Sequence, residues 1–195
     1  MKKTIQTSIA CLYFALICTN CRNKTSSADQ AAPITRPTIA TPTVVDAIKV
    51  EPVAPPIFKA YAKGYQIYKC DSIAPDQYAW KFDRPEATLY DDHDVKIGTH
   101  YKNGGPAWES ADGSIVIANG DKATIKADTS HPGNIPGLLL QQKAYGGNKE
   151  GVFGRVTKIQ RVDTHQGKAP SGLTGSAYKG TELYMPYTAT YYFYE

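Results

Sequence analysis

The chain has 195 residues, with 22 Lys and Arg against 18 Asp and Glu, and a formal net charge of +4. The basic excess lies near the N-terminus. From residue 57 onward, 13 Lys and 3 Arg stand against 10 Asp and 5 Glu, a net of +1. That balance, with no Lys/Arg cluster, gives no support for nucleic-acid binding.

Residues 1–21 read as an export signal. Lys2 and Lys3 form a positive start, and Ile9 to Ile17 form an apolar run. The run is too short for a bilayer core, which needs about 20 apolar residues, so it reads as a removable signal. Cys21 follows the run, opens a polar segment and fits a lipidated N-terminus better than Cys18, although Asn20 stands where a small residue is usual. The expectation is a bacterial envelope protein, periplasmic or anchored in the outer membrane, that meets a membrane only through its lipid. The alternative is a plainly cleaved signal and a soluble or secreted protein.

Residues 22–56 are rich in Thr, Ala and Pro, without Gly or aromatic residues. Such a segment has too little apolar surface to offset the entropy of ordering it, so it reads as a disordered spacer. Its prolines, from Pro33 to Pro56, favour extended chain.

Residues 57–195 then form one domain of ordinary size. All 16 Gly, both Trp and 13 of the 14 Tyr fall here. Of four cysteines only Cys70 does, which leaves it without a partner inside the domain and reads as a buried thiol.

The domain has a period of two. Tyr78, Trp80 and Phe82 alternate with Ala79, Lys81 and Asp83; Val95 and Ile97 with Lys96 and Gly98; and Ala123, Ile125 and Ala127 with their polar neighbours. Near the C-terminus Tyr187, Ala189, Tyr191 and Phe193 share one face. Each segment reads as a half-buried strand. Turn signals separate them, such as Asn103-Gly104-Gly105-Pro106 and Asp112-Gly113. The expected fold is all-β, a single antiparallel sandwich or barrel of about nine or ten short strands, without an amphipathic helix. Between Val152 and Asp163 the phase breaks, which implies a bulge or a strand covered on both faces. If Ile159 points inward there, so does Arg161, and a buried Arg calls for an acidic partner.

Several segments carry a resemblance: AKGYQIYKC (62–70), YAWKFDRPEATLYD (78–91), GTHY (98–101), GPAWESADGSIV (105–116), IPGLLL (135–140), VTKIQRVDT (156–164) and MPYTATYYFY (185–194). Together they resemble the uncharacterised family called domain of unknown function 3455, found in bacteria and fungi, across nearly all of residues 57–195. The resemblance implies an exported β-rich domain and no activity. Against that pattern, Gly137 stands in place of a Trp, the loop after His100 is longer, and residues 171–176 lack a Cys. The resemblance implies that this Cys would pair with Cys70, so a disulfide of about 2–4 kcal/mol is absent here.

Several residues carry possible chemistry. His100, Glu109 and Asp112 with Trp108 hold the groups for general acid–base work, including work on a sugar. The plainer reading makes Asp112 the closing residue of a hairpin turn and Glu109 a partner of Arg161. Asp91-Asp92-His93-Asp94 lacks the glycine and terminal Glu of a calcium loop and reads as a solvated turn. His131 and His165 read as surface residues. No Ser-His-Asp signature, phosphate loop or zinc spacing is present, so no metal or cofactor is expected. Arg161 offers a planar fork either to a ligand or to a structural ion pair. The aromatic residues would either stack on sugars or fill the core.

The leading functional expectation is a binding or surface-interaction module for a carbohydrate or small molecule, with Tyr101, Trp108 and Arg161 in contact. The alternatives are a carbohydrate hydrolase using His100, Glu109 and Asp112, and a purely structural envelope protein. The hydrolase needs its acids to converge, the binding module needs a pocket, and the structural protein needs Arg161 paired in a closed core.

Overall fold

A computed structural model describes residues 38–44, 46–126 and 131–195. The export signal, Cys18 and Cys21, residues 22–37 of the expected spacer, and Ala127 lie outside the described residues. Nine antiparallel strands form one sheet: β1 (Phe58–Ala74), β2 (Gln77–Tyr90), β3 (Lys96–Lys102), β4 (Pro106–Ser110), β5 (Ser114–Ala118), β6 (Thr124–Lys126), β7 (Gly137–Gly147), β8 (Lys158–Gln166) and β9 (Glu182–Tyr194). Short 3-10 turns at Asp46–Ile48, Gly120–Lys122, Val152–Arg155 and Ser176–Tyr178 are the other regular elements. Among the described residues no helix is long and apolar enough to cross a membrane.

The sheet runs β5-β4-β3-β2-β1-β9-β8-β7-β6, and β5 also pairs with β7. That second pairing, from Ser114 opposite Gly147 to Ala118 opposite Gln142, joins the strands into a ring. β6 lies along the other half of β7, with Ile125 opposite Leu138. The all-β expectation therefore holds, as a ring of strands.

The strands are not uniformly short. β1, β2 and β9 contain 17, 14 and 13 residues. Each runs through a Gly or Pro that does not end it. Pro85 and Pro186 both pair with β1. On its other side β2 meets β3 only from Ala87 onward, and β9 meets β8 only from Tyr187 onward. The missing proline N–H therefore breaks no ladder there.

The predicted face of β9 is in the core. Tyr187, Ala189, Tyr191 and Phe193 all belong to the buried cluster, with Trp108, Phe153, Ile159 and Leu140. β2 departs from its alternation. Between the pairs Ile67–Arg84 and Tyr68–Phe82 the register shifts by one residue. The bulge changes the phase and puts Phe82 on the same face as Pro85, edge-on to Tyr68, where it is 51% exposed. Ile125, expected to face the core, is 59% exposed, because β6 pairs only with β7 and stands at the rim.

β8 answers the broken phase with two covered faces. Ile159, Gln160, Arg161 and Val162 are all buried. The outer face is covered by part of the segment expected to be a disordered spacer. Ile48 and Val50 are buried. Gln160 Nε2 donates to Ile48 O (2.7 Å), and Tyr194 Oη donates to Gln160 Oε1 (2.8 Å). Within the expected spacer, Ile48 and Val50 thus pack against the domain. Two apolar side chains and a backbone carbonyl that satisfies a buried amide hold this stretch, whatever its composition.

Candidate functional site

Strand alternation separates the candidate residues. In the β3–β4 pair His100 stands opposite Trp108, and Thr99 opposite Glu109. His100 and Trp108 point into the ring and are buried. Their neighbours Tyr101 and Glu109 point to the other face, where Tyr101 Oη donates to Glu109 (3.0 Å). Burial and the Glu109 carboxylate raise the Tyr101 pKa. Tyr101 thus does not join the other two expected ligand contacts.

Asp112 is a turn residue. It accepts from Ser114 N (2.9 Å), from the Ser114 hydroxyl and from Val152 N (2.7 Å). Burial pushes its pKa up, but these bonds outweigh burial and hold it below the ordinary carboxylate value. His100, Glu109 and Asp112 do not converge. The Asp91–Asp94 turn is also occupied internally: Asp91 caps the backbone N–H groups of His93 and Val95, Asp92 pairs with Lys59 and Tyr61, and Asp94 with Lys63. Among the described residues no group of three acidic, His or Cys residues has the arrangement of a metal site.

The open end of the ring holds a pocket of about 470 Å³. Gln66 and Tyr68 come from β1, Pro85 from β2, His100 and Trp108 from β3 and β4, and Arg161 and Tyr191 from β8 and β9. Ile125, Ile135, Pro136, Leu138 and Leu140 complete walls that are mainly aliphatic. Trp108 and Tyr191 (ring centroids 5.3 Å apart) form the floor, because both also touch Phe193 of the packed core.

His100 stacks on Trp108 at 4.2 Å with planes 8° apart. Its Nδ1–H donates to Ala107 O (2.8 Å), which leaves Nε2 as an acceptor. Burial holds the His100 pKa down to about 3, against the raising effect of the Ala107 bond and with a smaller push from Arg161. The imidazole is therefore neutral across the physiological range.

This has a measurable consequence. Below the ordinary His value of 6.5 the unfolded chain binds a proton that the folded chain refuses. Stability present above that value is lost as pH falls toward 3. Between about pH 7 and about pH 5 we expect His100 to account for a loss of about 2 kcal/mol. In urea unfolding at both pH values, His100→Asn should be less stable at neutral pH but lose about 2 kcal/mol less on acidification. An equal loss in both proteins would refute this assignment.

Arg161 is 8% exposed. Its Nε and Nη2 both donate to Pro136 O, at 3.2 and 3.0 Å. No carboxylate of the described residues forms an ion pair with it. The expected structural pair with Glu109 is therefore corrected, because Glu109 lies on the opposite face. One other lining residue holds a buried polar atom without a hydrogen-bond partner among the described residues: Trp108 Nε1.

Of the residues singled out in the sequence, the pocket gathers Trp108, Arg161 and His100 and leaves out Tyr101, Glu109 and Asp112. Sequence reasoning missed Gln66, Tyr68 and the aliphatic wall. The signals that could have found them were the runs AKGYQIYKC, with Gln66 and Tyr68, and IPGLLL, with Ile135, Pro136, Leu138 and Leu140. Gly137 pairs with Lys126 beside Leu138, so by alternation it faces away from the pocket. Cys70 is buried and free.

Residues 53–195 match the family model described as "Protein of unknown function (DUF3455)". No curated protein and no solved structure matches the chain. The chain belongs to the DUF3455 family.

Proposed function

We propose that this member of the DUF3455 family is a small-molecule-binding module that takes an apolar ligand into the open end of its strand ring. The observation that carries the reading is the pocket of about 470 Å³ with buried Arg161, Trp108 and His100 among its lining residues. Ligand sites are commonly concave, about 300–1,000 Å³, largely apolar and furnished with a few placed polar groups. Closed β-structures of about this strand number hold one small ligand.

The aliphatic walls favour an apolar molecule over a carbohydrate, whose many hydroxyls would find few partners there. The hydrolase reading has less support, because its two acids lie outside the pocket and each is hydrogen-bonded elsewhere. The purely structural reading has less support because Arg161 is buried without an acidic partner among the described residues. Export and lipid anchoring at Cys21 remain part of the proposal and rest on residues 1–21 alone. They would place the module at the cell envelope.

Titration with Nile red, a neutral apolar dye, tests the reading. We expect saturable one-site uptake by the folded chain. Ala123 lines the pocket, and Ala123→Phe should weaken uptake by about tenfold or more by filling it. A folded protein without saturable uptake would overturn the proposal.

A further inference from the structure

We infer that the ligand carries one carboxylate, which docks against the distal Nη1–Nη2 edge of Arg161 while its apolar body lies along the aliphatic walls. The inference rests on the pocket being a binding site and adds the chemical class of its occupant.

Hydrogen-bond geometry comes first. Pro136 O takes the Nε–Nη2 side of the guanidinium. Five N–H donors in a planar fork leave the far edge, formed by Nη1 and the second hydrogen of Nη2, without a partner among the described residues. That edge matches the two oxygens of a carboxylate.

Charge comes second. The Arg161 guanidinium is a cation. A buried cation without a counter-ion is costly, and one backbone carbonyl does not neutralise it. His100 is neutral and contributes no compensating charge. Among the described residues the carboxylate lining the pocket is that of Asp121, which is exposed and forms no ion pair with Arg161.

The donor balance comes third. Trp108 Nε1 is buried, without a partner among the described residues, and can only donate. With the free edge of Arg161, it gives the pocket donors that an occupant's acceptors can satisfy. An occupant that fits must bring acceptors at one end and apolar surface elsewhere.

Decanoate and decanol share one chain and differ at the head. Calorimetric titration of the full chain near pH 8 should show decanoate binding about 10–100-fold more tightly, the range for a hydrogen bond to a charged group. Arg161→Met should abolish the preference, and a circular-dichroism spectrum and urea-unfolding curve of the same variant report whether the fold is kept. Arg161→Lys retains charge without the fork and should keep part of the preference, which covers the case of a Met variant that does not fold.

Equal binding of decanoate and decanol by the unmodified chain would overturn the inference and leave the apolar pocket standing. So would an undiminished preference in folded Arg161→Met. If neither compound nor Nile red binds, the binding module itself is rejected.

Discussion

Replacing Phe193 by alanine is expected to lower the unfolding free energy by about 3–5 kcal/mol, among the largest costs a single core substitution carries. Phe193 has no exposed surface. Its ring centroid lies 4.6 Å from Phe153, 5.7 Å from Phe58, 6.1 Å from Trp108 and 6.4 Å from Tyr191. These neighbours come from four different strands or turns, so no one element can collapse into the space left behind. The cost combines lost burial with a cavity that is only partly refilled. In thermal unfolding the midpoint should fall by on the order of 10 °C. Phe82→Ala serves as the comparison. Phe82 is 51% exposed with one ring contact, to Tyr68, and its truncation should cost only about 1 kcal/mol. Similar losses for the two would refute the placement of the core. Because Trp108 and Tyr191 form the pocket floor and rest on Phe193, Phe193→Ala should also weaken Nile red uptake.

The second large effect is steric. Gly64→Val is expected to cost about 3 kcal/mol or more, because the neighbours it meets are backbone. A Cβ at Gly64 would lie 2.2 Å from Glu86 O and 2.5 Å from Ala87 Cα. Gly64 sits inside β1, opposite Ala87 on β2 and Tyr187 on β9. The strands would have to separate, and the register on which Gln66, Tyr68 and Pro85 depend would move with them. Gly172→Ala is the control: nothing lies within 4 Å of a Cβ there. Urea unfolding of both variants checks the difference. A near-neutral Gly64→Val would show that the β1–β2 approach is looser than described.

The pocket residues show how far strand alternation reaches. If Trp108 points inward, Glu109 must point outward, and the separation of the expected acid from the interior was legible in that single step. The inward direction of Arg161 followed likewise from Ile159. The acidic partner expected for Arg161 did not follow. Burial of a cation tells that something must compensate it, not that the chain supplies the compensation. The covering of β8 by Ile48 and Val50 was also hidden. A segment rich in Thr, Ala and Pro has the composition of a spacer, and two apolar side chains in it become structural only where a complementary surface stands. In β2 the bulge at Asp83 reversed the phase, and no local pattern announced it.

The sequence by itself determined the all-β class and the inward face of β9, because alternation is local and the backbone enforces it residue by residue. The tertiary structure alone decided the pocket. Its residues run from Gln66 to Tyr191 and meet only because β5 pairs with β7 and joins the strands into a ring. Register over such separations depends on the packing of the whole sheet, so no window of sequence contains it.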